Sequence, residues 1–114
     1  MSIWYVFDEH GDSTPADVAT FSRFCDARYA AFRAGERDPW EVDYAEFDGQ
    51  EVSTVFLGRD LGFGFGDGPP LVFETMVFGG PYDLREFRWP TRVTAQAGHD
   101  QIVAALRAGR EPRT

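Results

Sequence analysis

VDYAEFDGQEVSTVFLGRD, residues 42–60, is the stretch that sets the fold class. Residues 42–47 alternate apolar and polar side chains, which is the period of a half-buried strand. Asp48-Gly49 is a dipeptide that closes tight hairpins, because both residues accept positive φ. Residues 51–60 then read as the partner strand, so the middle of the chain is an antiparallel hairpin. Downstream, LGFGFGDGPP (61–70) is too rich in Gly and Pro for a regular element and reads as a loop. PLVFETMVF (70–78) is a further strand, stopped by Gly79-Gly80-Pro81, and LREFRW (84–89) alternates once more.

Upstream, IWYVFD (3–8) is a β-rich opening halted by the polar turn EHGDS. Ser13 and Thr14 before Pro15 fit a helix cap followed by a first-turn proline. Val18, Phe21, Cys25, Tyr29 and Phe32 then recur at spacings of three and four, and Gly35 terminates the helix. At the other end, Thr91 caps a helix that runs to about Arg107 before Gly109. The expected order is β-α-β-β-β-β-α, an α+β fold in which an antiparallel meander of four to five strands is packed by two helices. One domain spans residues 1–114, with 109–114 as a frayed tail.

Composition narrows the function classes. The formal net charge is −8, and all eleven basic residues are arginines scattered along the chain, so direct nucleic-acid binding is not expected. The joint absence of Lys and Asn fits a GC-rich genome. There is no apolar run of about 18 residues and no secretory signal pattern, so no membrane partner is expected and the location is cytoplasmic. Cys25 stands alone, which excludes an internal disulfide and a cysteine-rich zinc site, and it reads as a small core residue.

The two histidines carry the question of chemistry. His10 lies in the acidic turn DEHGD and reads as solvated. His99 falls three residues before Ile102 and seven before Leu106, on an apolar stripe that also takes in Val93, Ala97 and Val103. It therefore points inward, with Gly98 beside it allowing close approach to the sheet. A buried imidazole needs a polar partner. Glu74 is the first candidate for it; a Glu74 pairing with Arg59 or Arg88 is the alternative. No HxH or HExxH spacing is present, so neither a metal nor a cofactor is expected. Glu74, His99 and Arg59 converging on a pocket would make a small enzyme or ligand-binding site.

The glycine loop matches no phosphate-binding pattern, since Pro-Pro and a strand follow it rather than a helix. Its Phe63, Phe65 and Asp67 are candidates for contacting a partner protein. Strands 51–60 and 70–78 carry apolar groups on both sides, so the second side of the sheet is expected to be covered by a helix or a second subunit, with a homodimer possible. Glu41, Asp43, Glu46, Asp48 and Glu51 are the candidates for a row of carboxylates imitating nucleic acid.

VSTVFLG (52–58), GPPLVFETMVFGG (68–80) and Thr91, Ala95, Gly98 and His99 together resemble a family of small uncharacterised proteins of bacteriophages, prophages and bacterial genomes. The resemblance covers about half the chain and departs in the N-terminal part, where the helix after Pro15 is extra. It implies a phage or mobile-element setting and no activity or cofactor. The leading expectation is a non-enzymatic protein that binds a host or phage protein, in host takeover or anti-defence.

Overall fold

The computed structural model describes residues 4–60 and 68–113. Its elements are β1 (Trp4–Phe7), β2 (Ser13–Ala16), α1 (Val18–Arg33), β3 (Glu41–Phe47), β4 (Gln50–Phe56), β5 (Phe73–Phe78), β6 (Glu86–Trp89) and α2 (Arg92–Arg107). β1 and β2 form a two-stranded antiparallel sheet, and β3-β4-β5-β6 form a four-stranded antiparallel meander in chain order. The class is the expected α+β.

One element is new. Ser13–Ala16 is a strand, not the cap of a helix: Pro15 lies opposite Tyr5, and the helix starts after Asp17, whose carboxylate accepts from the Thr20 amide at 2.7 Å. The residue before a proline avoids helical backbone, and proline suits a strand edge, so Thr14-Pro15 extends once the turn at Gly11 brings it beside β1. The hairpin between β3 and β4 has the anticipated turn, with Asp48 at φ 49° and Gly49 at φ 75°. At the C-terminus, Pro112 is buried and Arg85 bonds Glu111 at 2.6 Å. Both contacts fall within the segment expected to fray, while Arg113 bonds only Glu111 of the same segment among the described residues.

Register assigns every strand residue to a side. Val52, Thr54 and Phe56 on β4 face Val77, Thr75 and Phe73 on β5, and this side meets α2. The helix turns Ala95, Gly98, His99, Ile102 and Leu106 onto it. Val93, expected on that stripe, is 77% exposed, and Ala97 is exposed too. The inward stripe is rotated from the anticipated one while still containing His99. Two apolar clusters result: Trp40, Val42, Phe56, Phe73 and Ala95 with Tyr5 and Val72 at one end, and Val52, Val77, Ile102 and Leu106 at the other. α1 adds Phe21, Phe24 and Cys25 to the first, with Phe24 stacked on Trp40 at 5.4 Å between ring centres.

Gly98 is where α2 comes closest to the sheet. A Cβ there would lie 2.2 Å from the Trp89 ring, which its indole N–H bond to Thr75 holds in place. Gly98→Ala should therefore lower stability by about 1–3 kcal/mol through overpacking, despite the helix-propensity gain of roughly 1 kcal/mol. Urea unfolding of the variant checks this, and an unchanged or raised midpoint would remove the close-approach reading.

Candidate functional site

A buried chain of hydrogen bonds crosses the interface between the sheet and α2. The Trp89 indole N–H donates to Thr75 Oγ1 at 3.0 Å, Thr75 and Thr54 hydroxyls are 2.6 Å apart, and Thr54 Oγ1 lies 2.7 Å from His99 Nδ1. Both threonines are fully buried and His99 is 2% exposed. They meet because Thr54 and Thr75 are directly paired in register, at the centre of the side that receives α2.

Donor counting sets the direction of the chain. Indole can only donate, so Thr75 accepts from Trp89 and gives its own proton to Thr54, and Thr54 in turn donates to His99 Nδ1. The reverse order would leave the buried Thr75 proton with no acceptor among the described residues. Nδ1 is therefore the acceptor and Nε2 carries the hydrogen. Nε2 points toward Asp43 Oδ2 at 3.7 Å, beyond hydrogen-bonding distance. Burial pushes the imidazole below its ordinary value, against the upward pull of Asp43, Asp100 and Glu41, so the ring is neutral at pH 7. Asp43 is held below the usual carboxylate range, chiefly by the Gln96 side-chain amide bonded to it at 2.8 Å.

Asp43 and its neighbours open onto solvent. A cavity of about 290 Å³ lies between β3 and α2, lined by Asp43, Ala45, His99, Asp100, Val103 and Arg107 among others. Thr54 cannot reach a molecule in it, being fully buried. The site thus presents a neutral imidazole N–H and two carboxylates, and holds no exposed nucleophile among those groups. Among the described residues no group of three His, Cys, Asp or Glu side chains is arranged to hold a metal ion.

The trio Glu74, His99 and Arg59 is not brought together. Glu74 projects from the opposite side of β5 and pairs with Arg88 across the strands, Nε to Oε2 at 3.2 Å. The reason is parity: Phe73, Thr75 and Val77 take the inward side, which turns Glu74, Met76 and Phe78 outward. Arg59 is bridged to Trp4 and lies over its ring at 5.3 Å. Sequence reasoning missed Thr54 and Thr75. Their signal was present: Val-x-Thr-x-Phe on β4 and Phe-x-Thr-x-Val on β5 place one hydroxyl in the middle of each apolar triplet, and antiparallel pairing sets the two opposite each other.

The side of the sheet turned away from α2 is the other candidate surface. Its rows are Glu41-Val55-Glu74-Arg88, Tyr44-Ser53-Met76-Glu86 and Glu46-Glu51-Phe78. The cover expected there is absent among the described residues, since α2 packs on the other side and α1 adds its rings to the Trp40 and Phe56 end of that same side. Tyr44 and Phe78 remain exposed. The Tyr44 hydroxyl donates to Glu51 at 2.6 Å, and that bond raises its pKa. Of the five carboxylates considered as a nucleic-acid-like row, Glu41, Glu46 and Glu51 share this side, Asp43 faces α2, and Asp48 sits in the turn. His10 is exposed beside Glu9. Burial raises the Cys25 thiol, so it is protonated at pH 7. Phe63, Phe65 and Asp67 lie outside the described residues.

No family model, no curated protein and no solved structure matches this chain. No helix among the described residues is long and apolar enough to cross a membrane.

Thr54→Val keeps the shape and removes the hydroxyl, leaving His99 Nδ1 and the Thr75 proton unpaired, for an expected loss of about 2 kcal/mol. The His99 shift adds a pH signature. The unfolded chain protonates this ring at higher pH than the folded one, so its contribution is complete above about pH 6.5 and declines as pH falls below that. The slope is at most about 1.4 kcal/mol per pH unit. Urea midpoints from neutral to mildly acidic pH should show this limb in the wild type and lack it in His99→Gln; identical profiles would refute it.

Proposed function

We propose that this protein acts by binding another protein, a host or phage factor with a basic surface, through the sheet side that faces away from α2. The observation that carries the reading is that side's uncovered condition among the described residues. It holds five glutamates, of which Glu41 pairs with Arg37, Glu74 and Glu86 pair with Arg88, and Glu46 and Glu51 have no arginine at ion-pair distance among the described residues, with exposed Tyr44 and Phe78 between them. Carboxylates at this density steer a basic partner and repel a second copy of the same face. The aromatic rings supply contact area that charges alone do not. A basic groove that ordinarily holds nucleic acid is one form such a partner takes; nucleic acid itself is repelled. The resemblance to small phage proteins supports the setting.

The remaining surface charge provides the control. Bait protein carrying Glu46→Arg, Glu51→Arg and Glu86→Arg should lose the basic proteins retained by the wild type from a bacterial lysate. Reversal of Glu9, Asp12 and Asp26, which lie outside the four-stranded sheet, should keep them. Retention should also fall steeply with added salt. Equal retention by the two variants would refute the sheet-face reading.

A further inference from the structure

We propose that the groove between the free edge of β3 and α2 binds an extended basic peptide segment as an added strand, with a cationic side chain drawn to the Asp43 and Asp100 carboxylates. The groove opens on the α2 side of β3, so this inference goes beyond the sheet-face reading, and either can fail without the other.

The edge comes first. β3 is the outermost strand and pairs only with β4 among the described residues. Phe47 and Gln50 flank the two-residue turn and form the hydrogen-bonded pair that closes it. Hydrogen-bonded pairs alternate along an antiparallel ladder, so Ala45 also bonds β4, while Tyr44 and Glu46 turn their backbone groups outward. The Tyr44 amide confirms this parity, since it bonds the Asp43 carboxylate Oδ1 at 2.8 Å instead of β4. The Tyr44 carbonyl and both backbone groups of Glu46 are left on the edge. A segment pairing there would send alternate side chains into the groove, the arrangement by which extended peptides extend sheets.

The groove specifies what those side chains are. Asp43 Oδ2 and Asp100 Oδ1 accept from the same Gln96 Nε2, at 2.8 and 3.1 Å, so the two carboxylates lie close together with a neutral amide between them that a cationic side chain would compete with. Neither has an arginine within ion-pair distance among the described residues: Arg37 is bonded to Glu41, and Arg107 lies over the Phe47 ring at 4.5 Å. Asp43 stays ionised because the Gln96 amide lowers its pKa. Val103 and Ala104 provide an apolar wall for the stem of a long side chain. Charge also selects against a second copy of the chain, since β3 pairing with itself would bring acidic residues of EVDYAEF together.

The test uses a fluorescent octapeptide of alternating arginine and valine, followed by anisotropy at low ionic strength. The expected result is saturable binding to the wild type, weakened about tenfold in Asp43→Asn/Asp100→Asn. Binding should be unchanged in Glu9→Gln/Asp26→Asn, whose exposed side chains lie in the turn after β1 and on α1, outside both the groove and the glutamate face. The same peptide N-methylated at alternate residues keeps its charge but cannot pair with an edge, and should bind far more weakly. Hydrogen exchange should show the Glu46 amide protected by the unmodified peptide. Equal affinity for the methylated peptide, no effect of the Asp43/Asp100 variant, or protection on the β6 edge instead would each overturn the proposal. So would a dimer through β3 in sedimentation that excludes the peptide.

Discussion

The Thr54–Thr75–His99 layer is the constraint on which the arrangement of sheet and helix depends. Above and below it the interface is apolar, with Phe56 and Phe73 on one side and Val52 and Val77 on the other. Apolar burial is non-directional, so beyond shape it does not single out which residues of the helix meet which residues of the sheet. A buried hydroxyl pair does. If α2 slid by one turn, His99 would meet valine or phenylalanine, and the threonine hydroxyls would be stranded in a dry interior. The polar layer thus selects one position for the helix, a role for which buried polar groups are well suited.

That position decides the two surfaces. Seating α2 on the Val52–Phe56 side leaves the opposite side of the sheet, with its glutamates, without a helix over it among the described residues. It also brings Asp100 alongside Asp43 at the edge of β3, since residues 99 and 100 are neighbours at the turn of helix that the threonines hold. The interior polar layer and the acidic exterior are therefore linked: the imidazole reads its position from the threonines through Nδ1 and faces the groove with Nε2.

Much of the fold was legible. Period-two alternation and Asp48-Gly49 located the central hairpin, and Gly79-Gly80 marked the end of the strand after it. The inward direction of His99 followed from its spacing to Ile102 and Leu106, and Gly98 was correctly linked to close approach. What failed did so for physical reasons. Ser13-Thr14-Pro15 satisfies the rules for a helix start and for an edge strand alike, and only pairing with β1 chose between them. Glu74 sits on a strand with apolar residues on both sides, so alternation could not say which side was inward; the interior took the side with Thr75. The apolar open side suggested a cover, yet Val55 and Met76 share their rows with charged residues instead.

The most direct test of the central claim is the tautomer of His99, read from two-dimensional 15N–1H correlation of the imidazole at neutral pH. A ring that accepts from Thr54 must be neutral, with its hydrogen on Nε2 and an unprotonated Nδ1, and its signals must collapse to another pattern in Thr54→Val. A hydrogen on Nδ1, or a doubly protonated ring under the same conditions, would contradict the hydrogen-bond order that ties the last helix to the sheet.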